Sequence, residues 1–134
     1  MDKSTLLKQS RPSFNVGQRI KLGKAIDYAT KKHSGQKRLS GEDYIIHPLT
    51  VASILITWKL DIDSIIAAVL HDTVEDTEAS LKEIESSFGK TVSFLVDGVT
   101  KVGTTRSGMR DIDSYLPQTR DNLSKLLIAV GKDA

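Results

Sequence analysis

The chain contains no cysteine, which excludes both a disulfide framework and a thiolate metal site and fits a reducing compartment. It also lacks any long apolar stretch. The longest, Ile65 to Leu70, is far short of the ~20 residues a membrane-spanning helix needs. The first residues, Met1-Asp2-Lys3-Ser4-Thr5-Leu6-Leu7-Lys8, hold no apolar core of the kind a secretory signal requires. An excess of one charge is missing too: 19 Lys and Arg stand against 17 Asp and Glu, dispersed along the chain, so there is no electrostatic case for nucleic acid. Internal repeats and low-complexity segments are absent as well. What remains is an ordinary globular composition, 39% hydrophobic and 27% charged over 134 residues, enough for one domain with a real core. The expectation is a soluble cytoplasmic protein with no nucleic-acid or membrane partner; composition is silent on its oligomeric state.

The periodicity reads as helices throughout. Residues 1–14 are polar and interrupted by Pro12, and are expected to be a flexible leader before a domain spanning 15–134. Asn15 is placed to cap a helix with Ile20, Gly23, Ile26, Ala29 and Thr30 on its apolar face, closing near His33. His33 beside Lys31 and Lys32 fits the negative end of that helix better than a ligand role. A loop rich in Gly and Ser follows, Ser34 to Glu42. Pro48 suits the first turn of the next helix, which buries Val51, Ala52 and Leu55, with His47 just before it. Asp61 or Asp63 caps a further helix that runs to about Thr77.

Beyond it, Ser80-Leu81-Lys82-Glu83 has the capping-box pattern and Gly89 the position of a helix stop. The run Thr91 to Val99, with Phe94 expected in the core, fits a helix but is short enough to leave a strand open. Asp97 and Gly98 are expected to shape the exit from that element into a loop over Thr100 to Asp113, with no metal role. Pro117 opens a last helix carrying Leu123, Leu126, Leu127 and Val130. The predicted fold is a single all-α domain of about five or six helices.

The densest chemistry lies in Val69-Leu70-His71-Asp72-Thr73-Val74-Glu75-Asp76-Thr77. At about 100° per residue, His71, Asp72, Glu75 and Asp76 fall within roughly a 140° arc of one helix. Carboxylates gathered around an imidazole repel one another unless a cation sits among them. A solvated acidic helix end with a chance His is the plain alternative. The second His upstream, His47 in Tyr44-Ile45-Ile46-His47-Pro48, weighs toward a metal, since imidazole is a common ligand.

These motifs carry a resemblance. Gly35-Gln36 with Arg38 through Glu42, the YIxHP run ending at His47-Pro48, His71-Asp72-Thr73-Val74-Glu75-Asp76-Thr77, Phe88-Gly89 and Asp97-Gly98-Val99-Thr100-Lys101 are similar to the N-terminal HD hydrolase domain of the RelA/SpoT family. That family removes pyrophosphate from the 3′ side of the alarmones ppGpp and pppGpp. The resemblance implies a guanosine nucleotide partner and a Mn²⁺ cofactor held by His47, His71 and Asp72. It gives Glu75 and Asp76 the attacking water and its proton, and puts Arg38 and Ser40 near the nucleotide. Two departures stand out: Leu39 replaces a basic residue common after the Arg, and no segment like LADRLHNMRT supplies the family's fourth metal ligand. Asp133 lies in what reads as the stretch before that segment and is not its substitute. On this reading the metal site is incomplete within the 134 residues and the chain is a C-terminally incomplete hydrolase domain. The competing reading is a non-catalytic HD remnant that binds nucleotide or a partner protein.

Overall fold

A computed structural model describes residues 1–104 and 117–132; the side chains of Glu75, Asp76, 101–104 and 117–120 are outside the described set. The fold is all-α, as the periodicity predicts, and the described residues form α1 (Lys3–Ser10), α2 (Val16–Lys32), α3 (Ile46–Thr57), α4 (Ile62–Leu70), α5 (Thr73–Asp76), α6 (Leu81–Phe88), α7 (Lys90–Thr104) and α8 (Pro117–Lys132). Among them the sole β feature is an isolated bridge between Lys37 and Asp43.

Local chemistry explains the boundaries. Asn15 and Gln18 cap α2 reciprocally, each side chain bonding the other's backbone N–H. Asp61 accepts from the Ser64 N–H at the start of α4, and Ser80 from the Glu83 N–H at the start of α6. Gly89 ends α6 at φ +98°, a left-handed conformation that costs a residue without Cβ nothing. Helix α4 is the hub, buried from Ser64 through Leu70 and packed against α2, α3, α7 and α8. Its neighbours contribute Leu22 and Ile26, Val51 and Leu55, Val96, and Leu123 and Leu126 to one continuous core.

Several expectations are corrected. Residues 3–10 are not a frayed leader: Asp2 caps α1, Leu6 is fully buried, and Gln9 exchanges hydrogen bonds with Ser53 of α3 at 3.0 and 2.7 Å. The core face of α2 is Leu22, Ala25, Ile26 and Ala29, while Ile20 is 56% exposed. Phe94 is likewise on the surface, its neighbours Val92, Leu95, Val96 and Val99 being the buried ones. The run from Thr91 is helical and continues through Thr104, so Asp97 and Gly98 lie inside α7 and not at its exit. Of the predicted loop Thr100 to Asp113, the part past Thr104 lies outside the described residues, as does Asp133.

Candidate metal centre

The single helix expected from Asp61 or Asp63 to Thr77 is broken at His71-Asp72, and the break makes the site. His71 caps the C-terminus of α4, and its Nδ1 lies 2.5 Å from the Ala68 carbonyl oxygen. The Thr73 hydroxyl donates to the Leu70 carbonyl at 2.8 Å. Both side chains compete for the last carbonyls of α4, which favours a turn over continued helix. Because a carbonyl only accepts, Nδ1 of His71 carries the proton in that contact, and Nε2 is the nitrogen presented to the site. The imidazole is only 2% exposed, so it sits against the core and not on a solvated acidic face.

His47 arrives from the first turn of α3, inside the helix and not just before it, and is 6% exposed. Its ring meets that of His71 edge to face, centroids 5.3 Å apart. Asp72 Oδ2 lies 3.0 Å from His71 Nε2 and 3.5 Å from His47 Nε2. One donor atom from each of the three residues lies within 4.8 Å of the others, and the 3.0 and 3.5 Å separations from Asp72 Oδ2 to the two imidazole nitrogens fall inside the roughly 4.4 Å that two metal–ligand bonds of about 2.2 Å can span. Two imidazoles and a carboxylate suit a first-row divalent ion without selecting one of them.

The electrostatics fit that use. Burial pushes the Asp72 carboxyl up, but the hydrogen bond and charge of His71, the Tyr44 hydroxyl and the charge of His47 together outweigh it, holding the group at about 2. Asp72 is therefore ionised at neutral pH. A lone-pair Nε2 facing this carboxylate at 3.0 Å is tolerable only with a proton or a cation between them.

Tyr44, quoted in the YIxHP motif but given no role by sequence reasoning, donates its hydroxyl to Asp72 Oδ2 at 2.8 Å. A Tyr followed by apolar residues reads as core, so no sequence signal marked it. It also lines a cavity of about 680 Å³ with Lys37, Arg38, Leu39, Ser40 and Glu42. That loop folds back on itself through the Lys37–Asp43 bridge and ion pair, the Arg38 N–H to Glu42 carbonyl bond, and Gly41 at φ +91°. Arg38 and Ser40 thus share one cavity wall with the tyrosine that touches Asp72, and Leu39 is fully exposed at its rim. Glu75 and Asp76 follow in α5, directly after the His-Asp pair.

Comparison with known proteins agrees in direction. A family model described as HD domain matches residues 25–134. The guanosine-3′,5′-bis(diphosphate) 3′-pyrophosphohydrolase of Aquifex aeolicus is 43% identical over 112 residues, covering 84% of this chain and 15% of that protein. A GTP pyrophosphokinase of Streptomyces coelicolor is 35% identical over 128 residues, 96% of this chain and 14% of that protein. The chain thus spans 14–15% of the length of these curated relatives. A solved structure described as a metazoan ortholog of SpoT that hydrolyzes ppGpp superposes with a TM-score of 0.56 at 22% identity, covering 84% of this chain and 93% of that one, a likeness of fold. A family match that takes in all of α3 to α8, together with 43% identity to the Aquifex protein over 84% of this chain, makes it a member of the HD domain family, of the RelA/SpoT type.

Proposed function

We propose that this chain is a Mn²⁺-dependent hydrolase domain that removes pyrophosphate from the 3′ side of ppGpp and pppGpp, the activity its Aquifex relative is named for. The observation that carries the reading is the continuity of the two halves of the site. Tyr44 belongs to the wall that holds Lys37, Arg38 and Ser40 and at the same time bonds Asp72 of the metal cluster. A polyanion seated against Arg38 would therefore have its phosphates beside His47, His71 and Asp72.

In this role the Nε2 of His71, the His47 imidazole and the ionised Asp72 carboxylate hold the cation. A bound Mn²⁺ would supply Lewis acidity at a phosphoryl oxygen and a water of lowered pKa. Attack of water at the phosphorus attached to the 3′ oxygen forms one P–O bond and breaks the bond to that oxygen, releasing pyrophosphate and a 3′ hydroxyl. Glu75 and Asp76 take the proton from water and return one to the leaving oxygen. Arg38 and Ser40 fix the nucleotide by hydrogen bonds and charge, Arg38 with the bidentate geometry that phosphate favours.

The test is pyrophosphate release from ppGpp with and without Mn²⁺. Turnover should depend on the metal, vanish in His71→Ala and Asp72→Asn, and fall by roughly 10²–10⁴-fold in Glu75→Gln. Turnover unchanged in His71→Ala would overturn the assignment. Mn²⁺ and nucleotide binding without any pyrophosphate release would point instead to a non-catalytic nucleotide-binding domain.

A further inference from the structure

We propose that His33 is a positioning residue for the metal centre, acting through Tyr44 to orient the Asp72 carboxylate. The inference rests on the reading of His47, His71 and Asp72 as cation ligands and is independent of which nucleotide the domain hydrolyses.

His33 lies at the C-terminal cap of α2 and is 2% exposed, so it is not the solvent-facing partner of a helix end. Its ring stacks on that of Tyr44, centroids 4.8 Å apart and planes 30° from parallel. Its Nδ1 lies 2.8 Å from the Gln36 Oε1, an acceptor, so Nδ1 donates and the ring plane is locked. Gln36 ties the unit together a second time. Its N–H donates to the His33 carbonyl at 2.9 Å, and its own carbonyl accepts from the Tyr44 N–H at 3.0 Å. The backbone and ring of Tyr44 are thereby fixed to the end of α2, while its hydroxyl reaches 2.8 Å to Asp72 Oδ2 on the far side.

The remaining ring nitrogen, His33 Nε2, is buried without a hydrogen-bond partner among the described residues. The face of the ring is what the fold uses, together with the one nitrogen that sets its plane. Tyr44 needs such a platform because it stands at the wall of an open cavity. The Tyr44 ring also meets His47 edge to face, centroids 6.0 Å apart, so loss of the His33 stack would loosen the phenol and its hold on Asp72 without releasing it. Outer groups of this kind commonly fix the orientation of a ligand and tune its basicity.

The experiment measures the Mn²⁺ dissociation constant by titration calorimetry for the full chain and for H33A, H33F, Y44F and H33A/Y44F, with a thermal melt of each. Tyr44→Phe, which deletes only the hydroxyl, should weaken binding about 10- to 100-fold. His33→Ala should weaken it by about 10-fold, and His33→Phe, which restores a flat stacking partner, should return it to near the wild-type value. The double variant should bind no more weakly than Tyr44→Phe, because both changes act through one hydroxyl. A wild-type affinity in His33→Ala, failure of His33→Phe to rescue, or losses that multiply in the double variant would each overturn the proposal. If His33→Ala does not fold, Tyr44→Phe and His33→Phe still decide it: unchanged Mn²⁺ binding in Tyr44→Phe, or alanine-like failure in His33→Phe, sinks it. Wild-type protein that binds no Mn²⁺ overturns the cation reading and this inference together. Intact binding effects with no ppGpp turnover overturn the substrate assignment alone.

Discussion

The carboxyl of Asp72 is pulled two ways: burial raises its proton affinity, while His71, Tyr44 and His47 lower it further, to about 2 from an ordinary 3.8. A folded-state value below the unfolded one means that the unfolded chain binds more protons between them. The contribution to stability is then complete above 3.8 and is lost as pH falls toward 2. A tenfold change in proton affinity is worth ~1.4 kcal/mol, so about 2 kcal/mol is at stake. Urea unfolding of the metal-free protein and of Asp72→Asn should show the wild type's advantage shrinking by about that much on acidification from about pH 5 to about pH 2. A constant difference across that range would mean that Asp72 is not held by its imidazole neighbours. The same residues predict proton-linked metal binding. Both imidazoles must be neutral to ligate, so Mn²⁺ affinity should fall on acidification, read by titration calorimetry at several pH values.

Helices α1 and α4 show how an element's role depends on what it meets. Helix α1 is short and mostly polar, yet Leu6 is fully buried among residues of the common core, and Lys3 pairs with Asp27 of α2 at 2.8 Å. Leu6→Ala should cost about 2–4 kcal/mol by chemical denaturation, as for other buried Leu truncations; a change near zero would restore the picture of residues 1–14 as a loose leader. Helix α4 depends on Asp61 for its start. Asp61→Ala should cost about 1 kcal/mol, the usual loss of an N-cap acceptor, and because α4 ends at His71 the same variant should also weaken Mn²⁺ binding. A destabilised variant with wild-type metal affinity would separate the cap from the site.

Across the whole molecule, a cation held by His47, His71 and Asp72 would couple α3, α4 and the turn between α4 and α5, since His47 comes from one and His71 and Asp72 close the other. A ligand that binds only the folded state stabilises it by mass action, about 2.7 kcal/mol at a hundred times the dissociation constant. Excess Mn²⁺ should therefore raise the melting temperature of the wild type, and His71→Ala or Asp72→Ala should abolish the rise. An equal rise in those variants would place the ion elsewhere. Within the described residues no helix is long and apolar enough to cross a membrane, so the apolar run in α4 serves this shared core.

Much of that core is legible in the sequence alone. Caps at Asn15, Asp61 and Ser80, the stop at Gly89 and the apolar spacing of the last helix are local: each depends on backbone donors and side chains a few residues apart, which a linear chain displays directly. The candidate cluster is legible too, because the His-Asp pair and the second His lie in compact motifs. Tertiary contact decided the rest. Leu6 is buried only because α2 and α3 supply a surface for it, and Ile20 and Phe94 stay exposed because they do not belong to the faces that α2 and α7 turn to the common core. The break at His71 follows from side chains taking the carbonyls of Ala68 and Leu70, a competition that periodicity alone does not reveal. The line from His33 through Tyr44 to Asp72 joins the end of α2, the loop after it and a turn 28 residues beyond Tyr44, and only packing brings their rings and carboxylate together.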